Sequence, residues 1–198
     1  MAGSNTNSSR SPLFSVEFFP PRTPVGEAKL DVVHDELARL SPDFFSVTYG
    51  AGGSTRDGTK QIVLRYKKSG SNVAPHLSFG GAGEAEISQL LSEYKAAGID
   101  RLVTLRGDLP SGSGAPALHR YANELVSFVR EQTGDHFHIE VACYPETHPE
   151  SSSFDSDLRF FKQKVEAGAN SAITQYFYNA DAYFRFVDAC TAGGIHIP

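Results

Sequence analysis

The feature that most constrains this chain is a recurrence. Short β-branched and aromatic runs alternate with stretches of helical periodicity, and successive strand candidates begin roughly thirty residues apart, the length of a βαβ unit. The runs are FSVEFF (14–19), FFSVTYG (44–50), VAPHLSF (73–79), RLVTLRG (101–107), HIEVACY (138–144) and SAITQYF (171–177). Helix signals fill the gaps: Thr23-Pro24 opens the first helix, and Gly70, Gly98, Gly134, Gly168 and Gly193 close the next five. The third helix places Ile87, Leu90, Leu91 and Tyr94 at i, i+3, i+4, i+7, an apolar stripe able to cover one side of a sheet.

Six consecutive strand-helix units imply an all-parallel sheet, which must be covered on both faces or closed into a barrel. A doubly wound nucleotide binder should carry a glycine fingerprint after its first strand, but here that strand runs into Glu17-Phe18-Phe19-Pro20-Pro21. The barrel is therefore favoured. Polar residues inside the runs agree with a lumen: Ser15 and Glu17, Ser46 and Thr48, Ala74 and His76, Thr104 and Arg106 alternate with bulky apolar neighbours. The sequence stops at GIHIP, where a seventh strand would start. The expected fold is thus an α/β TIM barrel truncated after about six βα units, over residues 13–198, behind a disordered Ser/Asn-rich arm at 1–12.

Composition removes several function classes. A net charge of −5 with evenly mixed signs argues against a nucleic-acid surface, which needs a clustered basic face. Cys143 and Cys190 lie in apolar runs without CxxC spacing, so a reducing, cytoplasmic setting fits. Neither a signal-peptide pattern nor a bilayer-length apolar run occurs in the sequence, so no membrane role is expected.

Chemistry in such a barrel is expected at the carboxyl ends of the strands. Those ends offer Glu17, Thr48-Tyr49, His76, Arg106-Gly107-Asp108, Tyr144-Pro145-Glu146-Thr147-His148 and Gln175. Glu17, flanked by Val16, Phe18 and Phe19, reads either as a desolvated general acid with a raised pKa or as a buried carboxylate paired with a cation from a neighbouring strand. Asp108 in RGDLPSGSG reads as part of a phosphate-holding loop or as an ordinary turn cap. YGAGGST (49–55) and FGGAGEAE (79–86) lack the residues of nucleotide motifs and read as βα turns. His136, His138 and Glu140 share a strand face, but at the end opposite the expected site, so a metal centre is disfavoured. Asp157 and Lys164, on one helix face with Leu158 and Phe161, read as solvated surface charges. On these patterns alone, an inactive fragment that at most binds a cofactor or a partner stays open. So does a TIM-barrel enzyme of phosphorylated metabolites.

Taken in order, SVEFFPPRT (15–23), VTYGAGGSTRD (47–57), APHL (74–77), RGDLPSGSG (106–114), YPETHPE (144–150) and GANSAITQYFY (168–178) closely resemble the methylenetetrahydrofolate reductase family, in its short, bacterial-type form. The resemblance covers the first six units of that family's FAD-binding barrel. It implies reduction of 5,10-methylenetetrahydrofolate to 5-methyltetrahydrofolate, with NADH or NADPH reducing FAD and leaving before folate binds, in a homo-oligomer when full length. By resemblance, Glu17 is the general acid toward folate N10, Asp108 an electrostatic catalytic residue near the flavin and pteridine, and Gln175 a folate contact. Thr48 falls near the nicotinamide. FAD contacts fall on Tyr49, Ala51, His76, Arg106, Gly107, Asp108, Tyr121, Tyr144, His148, Ser151, Asp157 and Lys164. Two positions depart from the family pattern, Phe160 and Gln163, where an Asn-like residue and an Arg are expected to help grip FAD.

Overall fold

The computed structural model describes residues 13–50, 56–79, 82–106 and 121–198. Each sequence run contains a strand, shorter at its carboxyl end than the run itself: β1 (Ser15–Phe18), β2 (Phe44–Val47), β3 (Val73–Leu77), β4 (Arg101–Thr104), β5 (His138–Cys143) and β6 (Ser171–Thr174). The residues trimmed from the runs form the strand-to-helix loops, where the polar candidates stand. Between the strands lie α1 (Pro24–Ala38), α2 (Arg56–Lys68), α3 (Glu84–Ala96), α4 (Ala122–Thr133) and α5 (Phe154–Glu166), and α6 (Ala180–Ala192) follows β6.

All pairings are parallel and the sheet order is β1-β2-β3-β4-β5-β6. Right-handed crossovers in strictly sequential order put every helix on the same face, which leaves the other face as the inner wall of an open barrel arc. The pleat and register then divide the side chains. Phe45, Val47, Val73, Leu77, Leu102, Ile139 and Val141 point to the helices, where they meet Ile62, Val63, Leu91, Tyr94, Leu125 and Val126 in one core. Each such fully buried side chain contributes about 1.5–3 kcal/mol relative to exposure. The α3 stripe behaves as its spacing implies, with Ile87, Leu90, Leu91 and Tyr94 all buried.

Two sequence expectations need correction here. β4 has the opposite phase from the one expected: Val103 pairs with the inner-face His76, whereas Thr104 pairs with Leu77 and Val141 on the helix side. Thr104 is fully buried there and its hydroxyl donates to the Glu140 carbonyl at 3.2 Å, so the polar group is satisfied without reaching the lumen. The polar inner-face residue of β4 is instead Arg101, at the amino end. α6 ends at Gly193 as its sequence implies, with φ −80° at this cap and the left-handed turn made one residue later by Gly194 at φ 74°. Finally, α5 does not carry Lys164 as a surface charge, because its ammonium is packed under the loop and donates to the Ala142 carbonyl at 2.5 Å.

Beyond α6 the chain returns to the sheet. The Ala172 amide of β6 donates to the Pro198 carbonyl at 2.9 Å, and Ile195 and Ile197 join the core. GIHIP therefore lies where a further parallel strand would continue the arc. Residues 1–12, assigned to a disordered arm, are outside the described residues.

Candidate functional site

The parallel sheet gathers the candidate residues at its carboxyl edge in two groups. The first is built by β1 to β3. Register sets Glu17 beside Ser46, and Ser46 beside Ala74, so His76 stands two residues further along the same inner face. Its Nε2 lies 3.2 Å from Glu17 Oε2, in a bent contact that falls short of a well-aligned hydrogen bond. The Glu17 side chain is about half exposed (48%) while that of His76 is nearly covered (10%).

This arrangement reverses one expectation. Glu17 is held below the ordinary glutamate range, first by hydrogen bonding with His76, bent as it is, against the opposing effect of partial burial, with further help from the imidazole's charge and from Ser46. Its flanking phenylalanines point away, Phe18 into the helix-side core and Phe19 to solvent, so the carboxylate stays half exposed. The partner is a histidine from two strands away rather than a lysine or arginine.

Thr48 extends the ladder, its amide donating to the Phe18 carbonyl at 2.9 Å while its own carbonyl accepts from the Thr59 hydroxyl at 2.7 Å. Next to it, the Tyr49 phenol oxygen is buried with no hydrogen-bond partner among the described residues, and burial raises its pKa.

The second group is built by the loop between β5 and α5. Thr147 adopts a left-handed φ of 72°, a conformation that non-glycine residues rarely take, and this turn folds the loop back so that Tyr144 and His148 meet edge to face at 4.6 Å. Asp157, in the first turn of α5, accepts from the His148 amide at 2.9 Å, and His148 Nδ1 in turn accepts from the Glu150 amide at 3.1 Å. The Ser151 hydroxyl donates to the Ser153 carbonyl, and Ser153 caps α5.

Below the loop sits Lys164. Burial lowers its pKa more than the nearby Cys143 and Asp157 raise it, so an ammonium here gains from any further anion. Cys143 beside it is pushed up to about 12 by burial, which keeps the thiol neutral.

Other candidates rim these groups. Arg106, just past β4, is ion-paired with Glu150 at 2.6 Å. Tyr121 precedes α4 and lies nearly parallel to Phe160, ring centroids 6.4 Å apart. Thus Phe160, one of the two departures, presents an aromatic face where a polar grip was expected. Gln175 follows β6, and its amide donates to the Cys143 carbonyl at 2.7 Å. Ala51, Gly107 and Asp108 lie outside the described residues.

Two residues named from sequence make contacts that spacing did not reveal. Glu146 joins the loops after β5 and β6, accepting from the Asn179 amide at 2.9 Å and the Tyr178 amide at 3.2 Å. At the amino end of the inner face, Glu140 is gripped by Arg101 and Ser171, with His138 at 3.4 Å, and Arg101 rests on the Phe44 ring. The face shared by His138 and Glu140 is therefore occupied by an ion-pair network. Among the described residues, no cluster of three or more His, Cys, Asp or Glu is arranged to hold a metal. No described helix is long and apolar enough to cross a membrane.

Comparison with known proteins bears on the family and the fold. The family model for methylenetetrahydrofolate reductase matches residues 4–198. The chain is 46% identical over 184 residues to the 5,10-methylenetetrahydrofolate reductase of Escherichia coli K12, an alignment that takes in 92% of this chain and 61% of the relative. It is 37% identical over 199 residues to methylenetetrahydrofolate reductase (NADH) 1 of Arabidopsis thaliana, covering 93% of this chain and 34% of that one. The chain thus spans about 61% of the length of the bacterial relative. Among solved structures, 2,3-dimethylmalate lyase superposes with a TM-score of 0.60 at 6% identity, over 89% of this chain and 61% of that one. Oxaloacetate acetylhydrolase gives 0.53 at 10% identity, over 76% and 57%. At such identities these last two describe the fold alone.

Proposed function

The chain belongs to the methylenetetrahydrofolate reductase family, and from that premise we propose that the whole protein reduces 5,10-methylenetetrahydrofolate to 5-methyltetrahydrofolate, with FAD as cofactor and NADH or NADPH as hydride donor in a ping-pong cycle. The observation that carries the flavin assignment is Lys164. A partly buried ammonium bonded to a neutral carbonyl, with Asp157 nearby, is only partly compensated, and the diphosphate-ribityl part of FAD is an anion of the right kind to complete it. Asp157 and His148 would hold the ribose and phosphate region from the same loop, with Tyr49, His76, Arg106, Tyr121, Tyr144 and Ser151 around the cofactor. When bound, FAD supplies the hydride that it has taken from NAD(P)H.

The chain's own groups handle binding and the proton. Glu17 donates a proton to folate N10, which opens the five-membered ring of the substrate to an iminium cation. Asp108 stabilises that cation by its charge. Gln175 hydrogen-bonds the folate, and Thr48 lies against the nicotinamide. The half-exposed position of Glu17 at the open edge of the inner face supports this role, since a substrate can reach it directly. As in the family pattern, the working protein is a homo-oligomer of the cytoplasm that binds neither nucleic acid nor membrane.

The deciding experiment is the visible spectrum of the purified protein before and after anaerobic addition of NADH, and then of NADPH. An oxidised-flavin spectrum that bleaches is the expected result. Protein that never carries flavin, even after incubation with FAD, would overturn the assignment in favour of a flavin-free barrel enzyme.

A further inference from the structure

The contact between Glu17 and His76 extends the acid step beyond a single residue, an inference that rests on the proposed role of Glu17. We propose that His76 is the positioning residue of Glu17, fixing the carboxylate on the inner face and sharing with it the one proton that the acid step consumes.

The geometry is specific. His76 is held in β3 between β2 and β4, is almost fully covered, and directs Nε2 to within 3.2 Å of Glu17 Oε2. Among the described residues Nε2 makes no well-formed hydrogen bond to any other group, so the carboxylate is its natural partner. Ser46, between the two strands, steadies the carboxylate from below.

The surrounding charges leave the pair to itself among the described residues. On β2 the inner-face neighbours Ser46 and Thr48 carry no charge, and on β4 His76 faces Val103. Arg106 turns to Glu150. On β5, Glu140 is level with Val103 but is neutralised by Arg101, with His138 and Ser171 alongside. Glu17 is therefore the titratable group that His76 meets.

A shared proton resolves a chemical difficulty. A carboxyl group held below its ordinary range is ionised at neutral pH and has no proton of its own to give. The pair, counted together, still holds one when the imidazole is protonated. Once folate covers the site and excludes water, two adjacent charges lose hydration, and the neutral acid beside neutral imidazole becomes the favoured form. The proton then passes from Nε2 to the carboxylate, and from the carboxyl to folate N10. The bond between N10 and the bridging carbon breaks with its electron pair going to N10. Glu17 is left ionised beside a neutral imidazole, which regains its proton from solvent.

The test has a readout that needs neither cofactor nor substrate. Carboxyl-detected NMR titration of the ligand-free protein should place Glu17 below the ordinary glutamate midpoint, and His76→Gln should move that midpoint upward. In the holoenzyme, His76→Gln should slow the folate half-reaction by at least about tenfold and shift its pH profile. An unmoved Glu17 midpoint, or a folate half-reaction whose pH profile is unchanged, would overturn the proposal. Should His76→Gln fail to fold, Glu17→Gln is read instead through the His76 ring signals: a shifted ring titration supports the pair and an unchanged one overturns it. If the wild-type protein binds no flavin, the proposed function fails, yet the carboxyl titration still decides whether the pair exists.

Discussion

At the scale of single residues, Glu17 and the two cysteines carry separable predictions. Glu17→Gln keeps the shape of the side chain and removes the proton. Folate reduction should therefore fall by at least about 100-fold while reduction of the flavin by NAD(P)H is nearly unaltered, as measured by anaerobic stopped flow for each half-reaction. Cys143 and Cys190 are buried, and burial pushes their thiols up to about 12 and about 11. Neither should react with a thiol reagent in the native protein near neutral pH, and both should react once the chain is unfolded in denaturant. Rapid labelling of either in the native state would mean that the wall between β5 and α6 opens readily.

What the sequence disclosed about these residues, and what it hid, has a physical pattern. Glu17 stood out because a carboxylate inside an apolar strand is costly without a purpose. Its partner did not, since His76 is reached only through the register of β1 on β2 and β2 on β3, which spacing along the chain does not encode. The direction of its pKa shift followed from that missing partner. Lys164 was misplaced for a related reason: a long side chain can bury its head under a neighbouring loop, and helix periodicity reports only where its Cα faces.

At the scale of elements, strands and helices were legible because both periodicities and the glycine stops agreed. The phase of β4 was not. In RLVTLRG, Leu102, Val103 and Thr104 are all close in size and all buried, so alternation does not say which face is which until the pairing with β3 is known. The β5–α5 loop was legible as a cluster of polar residues but not as a fold, because its shape depends on Thr147 taking a left-handed turn. The junction of α5 with β6 offers a direct test. Gly168 has φ 116°, and a Cβ there would lie 3.0 Å from Cγ and Nε of Arg130, whose guanidinium donates to the carbonyls of Gly168, Gly134 and Phe137. Gly168→Ala should thus both strain the backbone and dislodge this clamp, lowering stability by about 2–3 kcal/mol in urea unfolding. A loss below about 0.5 kcal/mol would show that the arginine can move aside without consequence.

At the scale of the whole molecule, the described residues form an arc whose ends differ. β1 leaves an unpaired side, whereas β6 is already met by the Pro198 carbonyl. Apolar side chains gather on the outer elements at these ends, with Val32 and Val33 on α1, Phe184 and Val187 on α6 and Ile173 on β6 all exposed. Strand edges and apolar faces of this kind associate. A preparation limited to residues 1–198 should therefore run above monomer mass, increasingly so with concentration, in size-exclusion chromatography with light scattering. A sharp monomer peak across a wide concentration range would indicate that the arc shields its own ends.

The strictly sequential strand order has a consequence for how the chain comes into being. Each strand pairs with the one synthesised immediately before it, so every new βα unit leaving the ribosome finds its docking edge already built. The nascent chain then grows like a wall laid course by course. The groups of the first strands, Glu17 and His76 among them, are in place long before the helix that carries Lys164 has been translated.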